Sequence, residues 1–158
     1  MKLLFKQRFF SWLDSYDVYD ETGAIRYTVE GKLGWGHVLH ILDGSGAHIA
    51  TVKEVVWTFL KPRFELYIGQ NRVGTITKEL TFFRPRFDID FNGWSITGDF
   101  WEWDYSILDR AGNTVAVVGK EIWNWTDTYV IETADPQDAL CALMVTLAID
   151  AEKCSRND

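Results

Sequence analysis

The sequence lacks any apolar run long enough to cross a bilayer. The longest near-continuous one, residues 139–149, has Thr146 as its only polar side chain. At 1.5 Å per residue it reaches about 16 Å, whereas a span needs about 20 residues. Residues 1–13, MKLLFKQRFFSWL, imitate a signal peptide, but Lys6 and Arg8 interrupt them and leave 3–5 as the longest apolar stretch. Secretion is therefore not expected. A basic-aromatic surface anchor over 2–12 is the weaker alternative to a first strand. Cysteine is scarce, with two in the chain. On a continuous helix Cys141 and Cys154 would lie about 20 Å apart, and a disulfide needs about 7 Å or less. Two free thiols fit a reducing compartment, so the expected location is cytoplasmic, at most peripheral at a membrane.

Positive charge is also short. Sixteen Lys and Arg against 23 Asp and Glu give a net charge of −7. A nucleic-acid partner, which needs a cationic field, is not expected. No G-x-S-x-G, Walker-type or G-x-G-x-x-G loop is present. Gly34-Trp35-Gly36 reads as a loop carrying one aromatic. His37, His40 and His48 are the only histidines. On a strand 37 and 40 point to opposite faces, and no Cys or carboxylate has matching spacing, so neither a metal nor a cofactor is expected.

Aromatics are plentiful, at 15% with eight Trp, inside a composition that is 47% apolar. That suits strands, and the length suits one domain over 1–158 with a full core. Asp20-Glu21-Thr22-Gly23 returns as Asp43-Gly44-Ser45-Gly46 and as Asp109-Arg110-Ala111-Gly112. Each predicts a hairpin turn in which Asp bonds its own backbone and Gly takes positive φ. Lys-Glu before an apolar residue recurs at 53–55, 78–80 and 120–122. Turn signals divide the chain into about twelve short strands, roughly 3–10, 16–20, 24–30, 37–42, 47–56, 63–68, 72–79, 84–91, 94–100, 103–109, 114–122 and 127–132. Short connections make neighbours antiparallel.

The last segment is different. Asp135 suits an N-cap, Pro136 the first helical position, and Asp138 the amide-rich first turn. A helix apolar all round is buried all round. About eight strands make a barrel that side chains can fill, and a wider barrel needs something inside. The expected fold is mainly β: a closed barrel of about twelve antiparallel strands around a buried hydrophobic C-terminal helix.

A second duplication carries the candidate site. Thr58 to Glu65 matches Thr81 to Asp88 at a constant offset of 23 residues. Alternation puts Leu60, Pro62, Phe64, Leu66 and Ile68 on one face and Lys61, Arg63 and Glu65 on the other. Likewise Phe83, Pro85, Phe87, Ile89 and Phe91 oppose Arg84, Arg86, Asp88 and Asp90. Two cations beside a Pro suit a strand edge. If the copies lie close, Lys61, Arg63, Arg84 and Arg86 form a cationic patch whose guanidinium forks suit phosphate. The alternative is cross-strand pairing with Glu65, Asp88 and Asp90.

The chain resembles the LURP-one-related family. The resemblance rests on Asp20 to Gly23, Lys61-Pro62-Arg63-Phe64, Arg84-Pro85-Arg86-Phe87, Ile96-Thr97-Gly98-Asp99-Phe100-Trp101, and an apolar terminal helix ending Ala148-Ile149-Asp150. It implies the fold of the tubby C-terminal domain, related to phospholipid scramblases, with twelve strands closed around a hydrophobic helix. Tubby-like relatives bind phosphoinositide headgroups through basic residues, and scramblase-like relatives act at membranes. With no lipid-anchoring Cys cluster, scrambling itself is not expected.

The function expected is a non-enzymatic binding module, with an anionic lipid headgroup as the sharper partner and a protein-interaction scaffold as the alternative. An enzyme using Asp88, Asp90, Asp99, Glu102 and Asp104 is the third class; Asp88 and Asp90 share a face. Trp94, Trp101, Trp103, Trp123 and Trp125 resemble a stacking set, although wall packing also accounts for them.

Overall fold

A computed structural model describes residues 1–6, 15–56, 61–79, 86–100, 102–123 and 126–154. Twelve strands are present: β1 (Lys2–Lys6), β2 (Ser15–Asp20), β3 (Ile25–Lys32), β4 (Val38–Asp43), β5 (His48–Glu54), β6 (Arg63–Ile68), β7 (Asn71–Glu79), β8 (Arg86–Asp90), β9 (Ser95–Asp99), β10 (Asp104–Leu108), β11 (Thr114–Trp123) and β12 (Thr126–Thr133). A 3-10 turn, Pro136–Asp138, leads into α1 (Ala139–Cys154).

The strands form one sheet ordered β8-β7-β6-β5-β4-β3-β2-β1-β12-β11-β10-β9. Every pairing is antiparallel, including β1 with β12, where Leu4 faces Val130. That pairing carries the sheet round from the start of the chain to its end. The edge strands β8 and β9 are joined by the short Phe91–Trp94 turn and approach each other. The barrel is thus nearly closed, with one seam.

The two ends of the barrel differ. At one end are tight turns in which Asp organises the backbone. Asp20 Oδ1 accepts from Thr22 N at 2.9 Å and Ala24 N at 3.1 Å. Asp43 Oδ1 accepts from Ser45 N at 2.9 Å and Ala47 N at 3.0 Å. Asp109 Oδ1 accepts from Ala111 N at 2.8 Å and Asn113 N at 2.9 Å. Gly23, Gly46 and Gly112 sit at φ 83°, 84° and 84°, conformations that L side chains rarely adopt. The other end, hereafter the loop end, collects the connections β1–β2, β3–β4, β5–β6, β7–β8, β9–β10 and β11–β12.

α1 starts at the turn end and runs up the lumen. Asp135 caps the preceding turn, accepting from Gln137 N at 2.9 Å, with Pro136 next. The dipole benefit expected for Asp138 is not what its surroundings favour. Burial and then Asp135 push its carboxyl above the ordinary range. Ala142 to Ile149 are all buried. Thr146 satisfies its hydroxyl by donating to Ala142 O at 2.9 Å, the usual solution for a hydroxyl inside a helix. Around the helix stand the inward residues of every part of the wall, among them Leu3, Val18, Ile41, Val52, Leu66, Ile76, Ile107 and Ile131. Cys141 is a free thiol, partly buried, and burial pushes it up. Such a thiol is held as the weakly nucleophilic neutral form.

The outer wall carries Asp17, Thr28, Glu30, His40, Thr51, Lys53, Glu65, Thr77, Asp88 and Asp90, with a few exposed apolar residues such as Tyr19, Ile25, Val73 and Val117, while most apolar side chains point inward. This is the reverse of a transmembrane barrel, whose lipid-facing band is apolar. No helix among the described residues is long and apolar enough to cross a membrane.

Candidate functional site

The duplicated segment forms β6 and β8, and β7 lies between them. Phe64, Leu66, Phe87 and Ile89 are buried, so alternation sends their neighbours outward. Arg63 faces Thr77 on β7, and Thr77 faces Asp88 on β8. Lys78 N donates to Pro62 O at 2.8 Å, which continues this register toward the loop end. One step further, Lys61 comes level with Glu79, whose partner on β8 is Arg86. Lys61 and Arg86 therefore flank Glu79, two strand spacings or about 10 Å apart. The structure brings Lys61, Arg63 and Arg86 onto one outward face at the loop end. Arg84 lies outside the described residues, as do Trp101 and Trp125.

The pairing with acidic neighbours takes a different form from the sequence alternative. Glu65 accepts from Arg72 at 3.1 Å and from the Tyr67 hydroxyl at 2.6 Å, not from Arg63. The Tyr67 hydroxyl, ahead of Arg72, holds the Glu65 carboxyl below its ordinary range. Among the described residues no carboxylate comes within 4.0 Å of Lys61, Arg63 or Arg86. Arg63 Nε is buried and meets no acceptor there. Arg63 as a residue is half-buried, and most of its N–H donors sit on the terminal nitrogens, where an oxyanion would bind.

The histidines are arranged differently from the strand reading. His37 precedes β4, and its Nε2 lies 3.6 Å from Glu54 Oε2. His40 and His48 stack, with centroids 4.1 Å apart and planes at 10°. His48 Nε2 is engaged with Ala50 O at 2.9 Å and Thr51 Oγ1 at 2.8 Å. Among the described residues, no group of three or more His, Cys, Asp and Glu is placed to hold a metal. Asp88 and Asp90 are exposed on β8. Trp94 packs edge-on against Phe91 at 5.4 Å inside the seam turn. Trp103 sits at φ 57° in the turn before β10, so strand alternation does not govern it. It lies in the barrel mouth, 4.0 Å from the Tyr129 ring.

Sequence reasoning missed an ionic group at that mouth. Lys78 points inward, two residues after buried Ile76, and pairs with Glu152 on α1. Both side chains are only 3% exposed. Lys153 donates to Phe100 O at 3.0 Å and lies 4.4 Å over the Trp103 ring. A signal existed: period two from Ile76 places Lys78 inward, whereas Val52 places the Lys53 of the same Lys-Glu motif outward.

Asp150, one turn from these groups, has a pH consequence. Burial pushes its carboxyl from 3.8 up to about 6, with Lys153 pulling the other way. The native state thus holds this proton more tightly than the unfolded chain. Its contribution favours folding at low pH and is lost as pH rises from 3.8 through about 6. Asp20, Asp43 and Asp109 act oppositely, their carboxyls being lowered chiefly by Thr22, Ser45 and Asn113 side chains. Asp150→Asn is expected to stabilise the protein at pH 7, by at most about 3 kcal/mol, with the gain vanishing near pH 4. Urea melts of both proteins at the two pH values read this; equal stability at pH 7 contradicts it.

A family model described as LURP-one-related matches residues 1–150. The chain is 30% identical over 151 residues to "Uncharacterized protein YxjI" of Bacillus subtilis (strain 168), covering 95% of this chain and 92% of that protein. No solved structure matches the chain.

Proposed function

Because the chain belongs to the LURP-one-related family, we propose that it is a non-enzymatic binding module that recognises anionic phospholipid headgroups, phosphoinositides among them, at a membrane surface. The observation that carries this reading is the outward placement of Lys61, Arg63 and Arg86 on adjacent rows, with no carboxylate within 4.0 Å among the described residues. Arg84, outside the described residues, is added on the sequence duplication alone. Ammonium and guanidinium donors at this spacing suit a phosphorylated ring, one phosphate to each side of Glu79. Glu79 and the net charge of −7 limit the attraction to short range. At physiological ionic strength screening sets in over about 8 Å, so a local cluster acts only on a surface that it already touches.

The test is sedimentation with vesicles of phosphatidylcholine containing phosphoinositide, across a salt series. Binding is expected at low salt, weakening as salt rises. Lys61→Gln, Arg63→Gln, Arg84→Gln and Arg86→Gln combined should abolish it with little change in melting temperature, because the exposed charges of Lys61 and Arg86 contribute about 0–1 kcal/mol each and Arg63 has no carboxylate partner within 4.0 Å among the described residues to lose. A wild-type protein that ignores these vesicles at low salt refutes the reading. So does a quadruple variant whose main change is a lower melting temperature.

A further inference from the structure

The exposed large apolar side chains are unevenly placed. Among the described residues, Tyr19 and Ile25 form a cross-strand pair on β2 and β3, Val73 and Val117 lie singly along strands, and the most exposed, Leu33 and Trp35, belong with Val56 to one corner of the loop end. Leu33 is 86% exposed and Trp35 is 80% exposed. Both belong to the β3–β4 connection, and Val56 follows β5 directly alongside. The connection is held in place. His37 N donates to Glu54 Oε2 at 3.0 Å, and Glu54 N returns a bond to His37 O at 2.8 Å. Gly36 sits at φ 86°, and a Cβ there would come 2.5 Å from Val56 Cγ2. Only glycine allows the loop to lie this close to Val56. The consequence is a fixed knuckle whose largely exposed indole borders a cleft on the outer wall beside Val38, His40, Thr51 and Lys53.

The charges beside the knuckle are sorted. Two nearby carboxylates are paired with cations: Glu30 with Lys32 at 2.5 Å and Glu65 with Arg72 at 3.1 Å. Glu54 accepts from the neutral donor His37 N at 3.0 Å and lies 3.6 Å from a His37 ring that is cationic only when protonated. Lys53, Lys61 and Arg63 have no carboxylate within 4.0 Å among the described residues. Lys53 lies next to Val38 on one side and Glu65 on the other. Glu79, beyond Lys61, and Glu54, beside the loop, are the acidic exceptions. An apolar tip next to unneutralised cations matches the layering of an anionic bilayer, with acyl and glycerol groups inside and phosphates outside. Indole rings favour that boundary.

We propose that Leu33, Trp35 and Val56 insert into the interfacial layer of an anionic bilayer, docking the barrel by its loop end. This rests on the headgroup reading above and adds to it an orientation and an apolar contact. Lys53, Lys61 and Arg63 then lie at phosphate depth.

The probe is vesicles of phosphatidylcholine with phosphatidylserine, plain or carrying bromine on the acyl chains near the interface. Wild type is expected to bind and to lose part of its tryptophan emission to the bromine. Leu33→Ser/Trp35→Ser should bind about tenfold more weakly or worse, because each lost side chain removes buried apolar area. The quenched emission should disappear, while the melting temperature stays put because both side chains are in solvent. A double variant that binds and is quenched like wild type, while the four-Gln variant loses binding, overturns the insertion and leaves the headgroup reading standing. A four-Gln variant that binds normally while the double variant does not overturns the headgroup reading and upholds insertion. Wild type that binds neither vesicle overturns both. Equal binding to pure phosphatidylcholine overturns the choice of an anionic surface.

Discussion

Leu143→Asp is expected to unfold the protein. Leu143 is 0% exposed at the centre of the barrel, with helix on either side of it in sequence and wall around it. A carboxylate there has no counter-charge in the apolar core around it. It would either be buried charged, at several kcal/mol, or protonate at a smaller but still substantial cost. Single domains hold about 5–15 kcal/mol in total, so this one change consumes most of it. Leu143→Met, which conserves volume, should cost less than about 1.5 kcal/mol. Deleting residues 136–158 should have the larger effect still. The wall would lose the partner of every inward side chain, and twelve strands cannot fill so wide a lumen themselves. Circular dichroism and urea melts read both outcomes. A truncated chain that stays soluble and melts cooperatively would mean that the helix is not the core.

The second large effect concerns Lys78 and Glu152. Breaking a buried pair by removing one partner costs about 3–5 kcal/mol, because the survivor is left charged in a low-dielectric site. Lys78→Met and Glu152→Gln are each expected to fall in this range. The double variant Lys78→Met/Glu152→Leu should recover most of the loss and can exceed wild type, since both desolvation penalties vanish together. A double-mutant cycle in urea measures the coupling. Single variants costing less than about 1 kcal/mol would show that water reaches the pair. The pair's structural contribution is specific. It joins the end of α1 to β7, beside the bond that Lys153 donates to Phe100 O.

The site was only partly legible. Alternation alone places Lys61, Arg63 and Arg86 outward, because Phe64 and Phe87 must face the core. Whether the two copies meet depends on which strand lies between them. The hairpin at Gly69-Gln70 inserts β7, and with it Glu79, between Lys61 and Arg86. Cross-strand pairing looked plausible for Glu65 because it shares a face with Arg63. Arg72, brought across by the β6–β7 register, reaches that carboxylate instead. Lys78 was missed because its motif repeats at Lys53 with the opposite strand phase. The motif is one-dimensional; the direction of its side chains is set by the neighbouring apolar residue.

The sequence by itself determined the strands, their turns and the helix. The β6 boundaries expected, 63–68, are those observed, and the three Asp-x-x-Gly repeats form three Asp-organised turns. These are local matters: a side chain bonds its own backbone, glycine takes positive φ, and apolar periodicity selects a face. An eleven-residue stretch with one hydroxyl also dictated that the helix be enclosed. Only the tertiary structure decided which residues distant in sequence share a surface. It set Gly36 of the β3–β4 connection against Val56, His40 against His48, and Lys78 against Glu152, 74 residues away. Such contacts depend on sheet register and on the depth of the helix. Both are fixed by packing the whole core at once, and no local pattern encodes them.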